Sequence, residues 1–468
     1  MQTVFAQKNI LLNDLSLFKG ILENAHAGLY KYHSRQQIDS IFNHYASQIN
    51  EETTTLAYYK YLSAVLSYVG SLHDDIYLPS DVKEKLEAER TFFPYPVKMI
   101  DGRLLVNTTA GEIPLGAEIV SINGRSIEQI LPDLYKYYTT DGVNTTGKQM
   151  GINARFGWFY RLEYGAVKMF DIAYRINEQA SVQTIRLSPV TWADVMLLYK
   201  SRHSLAFDTT NTKTYSFNII DGLNTGVLTI PSFSLGNEHS AKHKAYKRFL
   251  KRTFTILREK HVSNLIVDIR HNGGGSDPND LLTFSYLATK PFRENSEAFT
   301  IFQKIPYRQY CTDPRADKLD IQRNFRKEHN VFNNGRYFQH PKYNPVWQVN
   351  PLAFSGKIYL LVSPAVASAA SLFAAMIKSE GAATVIGEET MGGYYGHTGH
   401  NKVNYRLPGT GIAFRISVVD IEQFVTPKEN IPFGVGVLPD ITVRQTLSGF
   451  MNNHDTVLDT TLRLIKKK

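Results

Sequence analysis

"GKIYLLVSPAVASAASLFAAMIKSEGAATVIGEET", Gly356 to Thr390, reads as three elements in succession. The apolar run Ile358–Val362 has the length and residue types of a buried strand, and Ser363-Pro364 ends it. The Ala-rich stretch from Ala367 reads as a helix ending at Gly381, and Ala383–Thr390 returns to strand composition. No residue from Ile358 to Ile377 is charged. Pro364 and the mid-run change from aliphatic to Ala-rich composition favour a buried strand followed by a buried helix over a membrane span.

The same alternation extends to either side. "TGVLTIPSF" (Thr225–Phe233) and "VSNLIVDIR" (Val262–Arg270) read as strands, and "SAKHKAYKRFLKRTFTILREK" (Ser240–Lys260) between them as a helix. Strand, helix, strand, helix in order predicts an α/β layer with parallel strands. Upstream the pattern differs. "SRQQIDSIFNHYASQI" (Ser34–Ile49) spaces apolar residues helically behind a Ser34/Gln37 capping box, and "TTTLAYYKYLSAVLSYVG" repeats that spacing up to Gly70. From about Phe92, short β-rich segments take over, with Asn123-Gly124 as a hairpin turn. The expected architecture is multidomain α/β: a helical domain over 1–90, a β-rich module over 91–190, an α/β core over 200–445 beginning in earnest near Thr214, and a C-terminal surface helix or tail over 446–468. An aromatic, irregular insertion is expected between Asn295 and Asn350.

The chain has 468 residues, 43% hydrophobic and 20% charged, and one cysteine, Cys311. That is globular composition with no disulfide framework and no cysteine-based zinc site. The net charge is +9, and its densest cluster, Ala241–Arg252, shares a helix with Tyr246, Phe249, Leu250 and Phe254. A solvated helix face accounts for it, and no nucleic-acid motif accompanies it, so no nucleic-acid partner is expected. Val4-Phe5-Ala6 before Gln7 resembles the end of an export-signal cleavage site, which sets the expectation of an exported (periplasmic or extracellular) protein with Met1 as an added start.

Two stretches suit chemistry. "LIVDIRHNGGGSDP" (Leu265–Pro278) ends a strand in three glycines, whose amides can approach an anion or oxyanion; a plain turn is the bland alternative, and no Gly-Lys-Ser/Thr follows to make a phosphate loop. In "SPAVASAASLF" (Ser363–Phe373), Ser368 falls where strand gives way to helix, among alanines that permit close approach. The helix N-terminus favours developing negative charge there, although a simple N-cap is the alternative role. Ser363 reads as strand end and Ser371 as a packing residue. His397 and His400 ("HTGH") lack a third metal ligand, and His239 and His243 lack the glutamate of a zinc protease; no metal and no organic cofactor is expected.

"DIRHNGGG", "SPAVASAASLFAAMIKSEGAATVIGEET" and "GVGVLPDI", in that order, resemble the S41 peptidase family, which includes the carboxyl-terminal processing proteases, the tricorn core protease and the interphotoreceptor retinoid-binding repeats. "HAGLYKYHSRQQID" and "VGSLHDDIYLP" resemble its N-terminal helical region, and "IPLGAEIVSINGRSIEQI" its PDZ-like module. The resemblance implies a ClpP/crotonase-like core and hydrolysis of peptides or proteins through an acyl-enzyme. It implies Ser368 as nucleophile, with an oxyanion hole from the backbone amides of Ala369 and of Gly273 or Gly274. The processing proteases take their general base from a lysine after the serine helix. The matching position here is Gly393, and no lysine lies from Ser379 to His400, so a Ser-Lys dyad is not expected. The tricorn-like branch uses a histidine from the helical region, which matches His73. For the acid that orients it, Glu389, Glu388 and Asp74 lead by residue type, with Asp75 and Glu422 behind them. The rival readings are a non-catalytic binding protein on the same scaffold, for a peptide or an apolar ligand, and a crotonase-like acyl-CoA enzyme.

Overall fold

The computed structural model describes residues 2–202 and 215–467. The expected start of the core near Thr214, and Met1, lie outside them. Three six-stranded sheets organise the chain. The Gly356–Thr390 stretch folds as strand Lys357–Val362, helix Ala369–Glu380 and strand Ala383–Gly387. These strands belong to a sheet ordered Ser216–Ile220, Thr225–Thr229, Asn264–Asp268, Lys357–Val362, Ala383–Gly387, Ile441–Thr442. All neighbours run parallel except the first pair.

Alternation along each strand explains why both faces of this sheet are covered. Leu265, Val267, Leu360, Val362 and Val385 pack with Phe254 and Leu257 of helix Ala241–Glu259 and with Phe373 and Ala374 of the serine-bearing helix. Ile266, Tyr359, Leu361 and Ile386 turn the other way, onto Val457 and Ile465 of helix Thr456–Lys466. The C-terminal helix is therefore part of the core and not a surface appendage, which corrects the expectation for 446–468. A buried ion network fixes its start: Arg270, at the end of the central strand, bonds Asp268 (2.7 Å) and Asp455 (2.6 Å). Helix Ala241–Glu259 buries Tyr246, Leu250 and Phe254 and leaves its lysines and arginines in solvent, as its pattern predicts.

The N-terminal helices pack on a second sheet. Phe18, Leu22, Ile38, Tyr58, Leu62 and Leu66 form one core with Val403, Tyr405, Phe414, Ile416 and Ile421. That sheet pairs Gly396–Arg406 and Asn295–Thr300 with the long strand Ala413–Gln423, whose other end takes up Asp75–Tyr77 directly after His73. The capping box at Ser34/Gln37 and the left-handed Gly70 C-cap form as expected. The stretch from Asn295 to Asn350 is more regular than expected. It contributes strands Asn295–Thr300, His329–Asn333 and Arg336–Gln339 to this sheet, and helix Arg315–Glu328.

The third sheet, Val97–Ile100, Arg103–Val106, Glu118–Ile122, Phe170–Arg175 and Gln183–Leu187, makes up the β-rich module with helices Ile127–Leu134 and Lys148–Tyr164. Asn123 and Gly124 both take positive φ, joining Ile122 to Arg125 in the expected two-residue hairpin. No described helix is long and apolar enough to cross a membrane.

Candidate active site

Ser368 sits between strand Lys357–Val362 and the helix that begins at Ala369, with φ +54° and ψ −134°. A non-glycine residue at positive φ stores strain, and such strain concentrates at functional sites. The turn is over-determined by its surroundings. Ser363 Oγ donates to the Arg270 carbonyl (2.5 Å), the Ala367 amide to the Asn272 carbonyl (3.4 Å), and Ser371 Oγ to the Ser368 carbonyl (2.8 Å). Ser363 and Ser371 thus brace the turn, and Ser368 is half-buried.

Its Oγ lies 3.0 Å from His73 Nε2. These residues are 295 apart in sequence and meet because Asp75–Tyr77 pairs with Ala413–Gln423, which sets the preceding loop over the glycine turn. Burial pushes the His73 imidazole down to about 3, and the charge of Lys402 acts in the same direction, while the Thr398 backbone pulls the other way. The ring is therefore neutral at neutral pH, with Nε2 placed to accept a proton from Oγ. His397 lies alongside, ring centroids 5.0 Å apart, and is also held neutral by burial.

No carboxylate bonds His73 among the described residues. Asp74 turns away to accept from His26 Nε2 (2.9 Å) and the Ser417 amide (3.0 Å). Glu389 holds Thr146 Oγ1 and the Gly436 amide, and Glu388 faces Arg444. Asp75 pairs with Arg415, and Glu422 lies in the strand pairing with Glu297. The geometry therefore withdraws Glu389, Glu388 and Asp74 as partners of His73: each already has another bond or charge to satisfy. His73 Nδ1 is buried without a hydrogen-bond partner among the described residues.

The glycine loop faces Ser368. A Cβ on Gly274 would stand 2.7 Å from the Ser368 Cβ and 3.0 Å from the Ala369 nitrogen, and Gly274 has φ +99°. Its own amide, however, donates to Asn272 Oδ1 (2.9 Å), which removes it from the expected oxyanion pair. The amides of Gly273 and Ala369 have no bonding partner among the described residues and remain as the two donors, with open space beside Gly273. Asn272, fully buried, holds the loop: its Nδ2 donates to the Ile230 carbonyl while its Oδ1 takes the Gly274 amide.

Asp141 is a further buried member. It accepts from the amides of Leu72 (3.0 Å) and Gly393 (3.0 Å), tying the His73 loop to the loop that holds glycine where a lysine was looked for. Burial pushes its carboxyl up to about 7. Of the other histidines, His243 bonds Asn279 and His239 is exposed beside Glu238; neither approaches a metal set.

Residues 224–443 match Peptidase family S41. The α/β core belongs to peptidase family S41. No curated protein sequence matches the chain. Among solved structures, mature CPAF is similar at 16% identity over 99% of this chain and 97% of that one, with TM-score 0.58. Mature CPAF complexed with lactacystin aligns with TM-score 0.59, at 16% identity over 99% and 98% of the two chains. At these identities the likeness shows the shared fold, and it spans all three sheets. Membership implies peptides or proteins as substrates.

In this S41 core, Gly274→Ala is expected to lower kcat by about 10²-fold or more, because the added methyl must displace Ser368 or Ala369 and small misplacements at a reacting centre cost about that much. Single-turnover peptide hydrolysis, with circular dichroism to confirm the fold, checks it.

Proposed function

We propose that the chain is a serine peptidase in which Ser368 attacks a peptide carbonyl and His73 is the general base. The 3.0 Å contact between Ser368 Oγ and His73 Nε2 carries this reading. His73 takes the Oγ proton as the C–O bond forms. The tetrahedral oxyanion accepts from the Ala369 and Gly273 amides at the helix N-terminus. His73 then returns the proton to the leaving amine, giving an acyl-enzyme and a new N-terminus, and water attacks in a second half-reaction with His73 again as base. The proposed pair is a dyad without an orienting acid, since His73 Nδ1 bonds no described residue. Lys402 is a cation near the ring, and its charge lowers the proton affinity of His73, so the ring is neutral but a weaker base than a free imidazole.

The β-rich module is proposed to be PDZ-like and to present peptide by strand addition. Of its outer strands, Val97–Ile100 is buried and its Met99 amide is taken by Asn153 Oδ1, whereas Gln183–Leu187 is open. The open edge is the one that suits a peptide.

Hydrolysis of an unstructured peptide mixture in the presence of hydroxylamine tests the acyl-enzyme. Peptide hydroxamates at the new C-termini are expected alongside free acids. Cleavage without any hydroxamate would exclude an accumulating acyl-enzyme, and an absence of cleavage by the folded chain would return the scaffold to a binding role.

A further inference from the structure

A second cluster of ionisable side chains borders the glycine loop and has no part in the steps above. Asp277 follows the loop directly, Glu294 precedes strand Asn295–Thr300, and His400 lies in strand Gly396–Arg406 where its register with the neighbouring strand shifts. One ligand-capable atom from each falls within 4.8 Å of the other two, and His400 Nε2 stands 3.1 Å from Glu294 Oε1. These residues are far apart in sequence and come from three separate elements, so the convergence is a product of the fold.

Buried polar groups without partners lie beside this cluster. Asp280, one turn on from Asp277 and 1% exposed, has no well-formed hydrogen bond to either carboxylate oxygen. His329, 2% exposed, keeps a buried Nδ1 without a partner and lies within the influence of His400. Two carboxylates thus meet a single imidazole, and beside them the buried Asp280 carboxylate has no hydrogen-bond partner.

We propose that Asp277, Glu294 and His400 form a binding site for a divalent first-row cation of the Zn²⁺ type, with the buried Asp280 carboxylate as a supporting group behind them. An imidazole combined with two or three carboxylates fits four-coordinate Zn²⁺ and its neighbours; Ca²⁺ asks for six to eight oxygens. The bound ion would join the segment after the glycine loop to the second sheet, whose strand Gly396–Arg406 also carries Thr398 beside His73. Its role is to hold the oxyanion loop in place, and no step of the hydrolysis passes through it.

The test is calorimetric titration of the chelator-treated, dialysed full chain with ZnCl₂, and separately with CaCl₂, alongside thermal denaturation. One equivalent of Zn²⁺ is expected to bind and raise Tm, with Ca²⁺ much weaker. Asp277→Asn and His400→Asn should each weaken binding at least ~10-fold, and Asp280→Asn by about 10-fold as a supporting group. Asp277 is exposed, so its variant reports on binding without unfolding the chain. Co²⁺ should give the visible bands of a tetrahedral site in the wild type and lose them in His400→Asn. No heat and no Tm shift with Zn²⁺ overturns the proposal. So does binding that survives Asp277→Asn and His400→Asn but disappears in His454→Ala, a surface histidine beside Asp459. A metal-independent preference for basic residues in substrate, lost in Asp277→Asn, overturns it in favour of a pocket for a cationic side chain.

Discussion

Ser368→Ala is expected to reduce peptide hydrolysis by about 10⁴- to 10⁶-fold while leaving the fold intact, since loss of a nucleophile removes covalent catalysis and spares only the oxyanion donors and substrate binding. The Oγ makes one contact of consequence, to His73, so the thermodynamic cost of its removal is small, on the order of 1 kcal/mol. The backbone strain at φ +54° is unaffected by alanine, which dislikes that region as serine does. Glycine relieves it. On the proposed mechanism, Ser368→Gly should therefore be as inactive as the alanine variant yet melt at a higher temperature than either, because glycine relieves the strain of the turn. Hydrolysis rates and thermal melts of the three proteins check both halves. Substantial hydrolysis by Ser368→Ala would remove this serine from the mechanism.

His73→Ala is the second large effect, an expected loss of about 10³-fold or more in kcat/KM, with Lys402→Ala much milder. The comparison is informative because the processing branch of the family uses a lysine base. A chain that tolerated loss of His73 and failed on loss of Lys402 would have its base on strand Gly396–Arg406 instead. The pH dependence follows from burial. With the imidazole pushed to about 3, the basic form predominates through the neutral range, so kcat/KM should stay level as pH falls from about 8 to 5, without the inflection near 6.5 that an exposed histidine gives. Stability has a related sign. The folded state lowers the His73 pKa below its unfolded value. This favours the fold above about pH 6.5, and the contribution is lost progressively as pH falls from there towards 3. His73→Ala should accordingly lose less stability between pH 7 and 4 than the wild type does, as read by denaturant midpoints.

The core sheet was legible because its signals are local. A charge-free run broken by Pro364, a helix closed by Gly381 and a glycine triplet after a strand each follow from a few adjacent residues. The turn at Ser368 was legible for the same reason. The C-terminal helix was not, because only the pairing of Arg270 with Asp455 and the unfilled face of Ile266 and Leu361 show that it must be buried. The Asn295–Asn350 stretch looked irregular since its strands are short, aromatic and complete only beside Ala413–Gln423. Around His73 the sequence offered carboxylates by residue type alone, and type does not show which groups they bond. Asp74 is adjacent in the chain, yet the alternation of strand Asp75–Tyr77 and the demand of buried His26 draw it to the other side. Asp141 and Asn272 carried no motif at all, because a buried carboxylate or amide that bonds only main-chain groups leaves no periodic trace. The cluster of Asp277, Glu294 and His400 escaped for the same reason: its spacing in sequence matches no metal-binding pattern.

Treatment of the folded chain with a fluorophosphonate, followed by peptide mapping, measures the central claim directly, since the reagent phosphonylates a serine only where a base and an oxyanion site activate it. A single adduct on the peptide containing Ser368, strongly slowed in His73→Ala and absent in Ser368→Ala, is the predicted result. An adduct on another serine, or labelling of Ser368 that proceeds at an undiminished rate without His73, would contradict it.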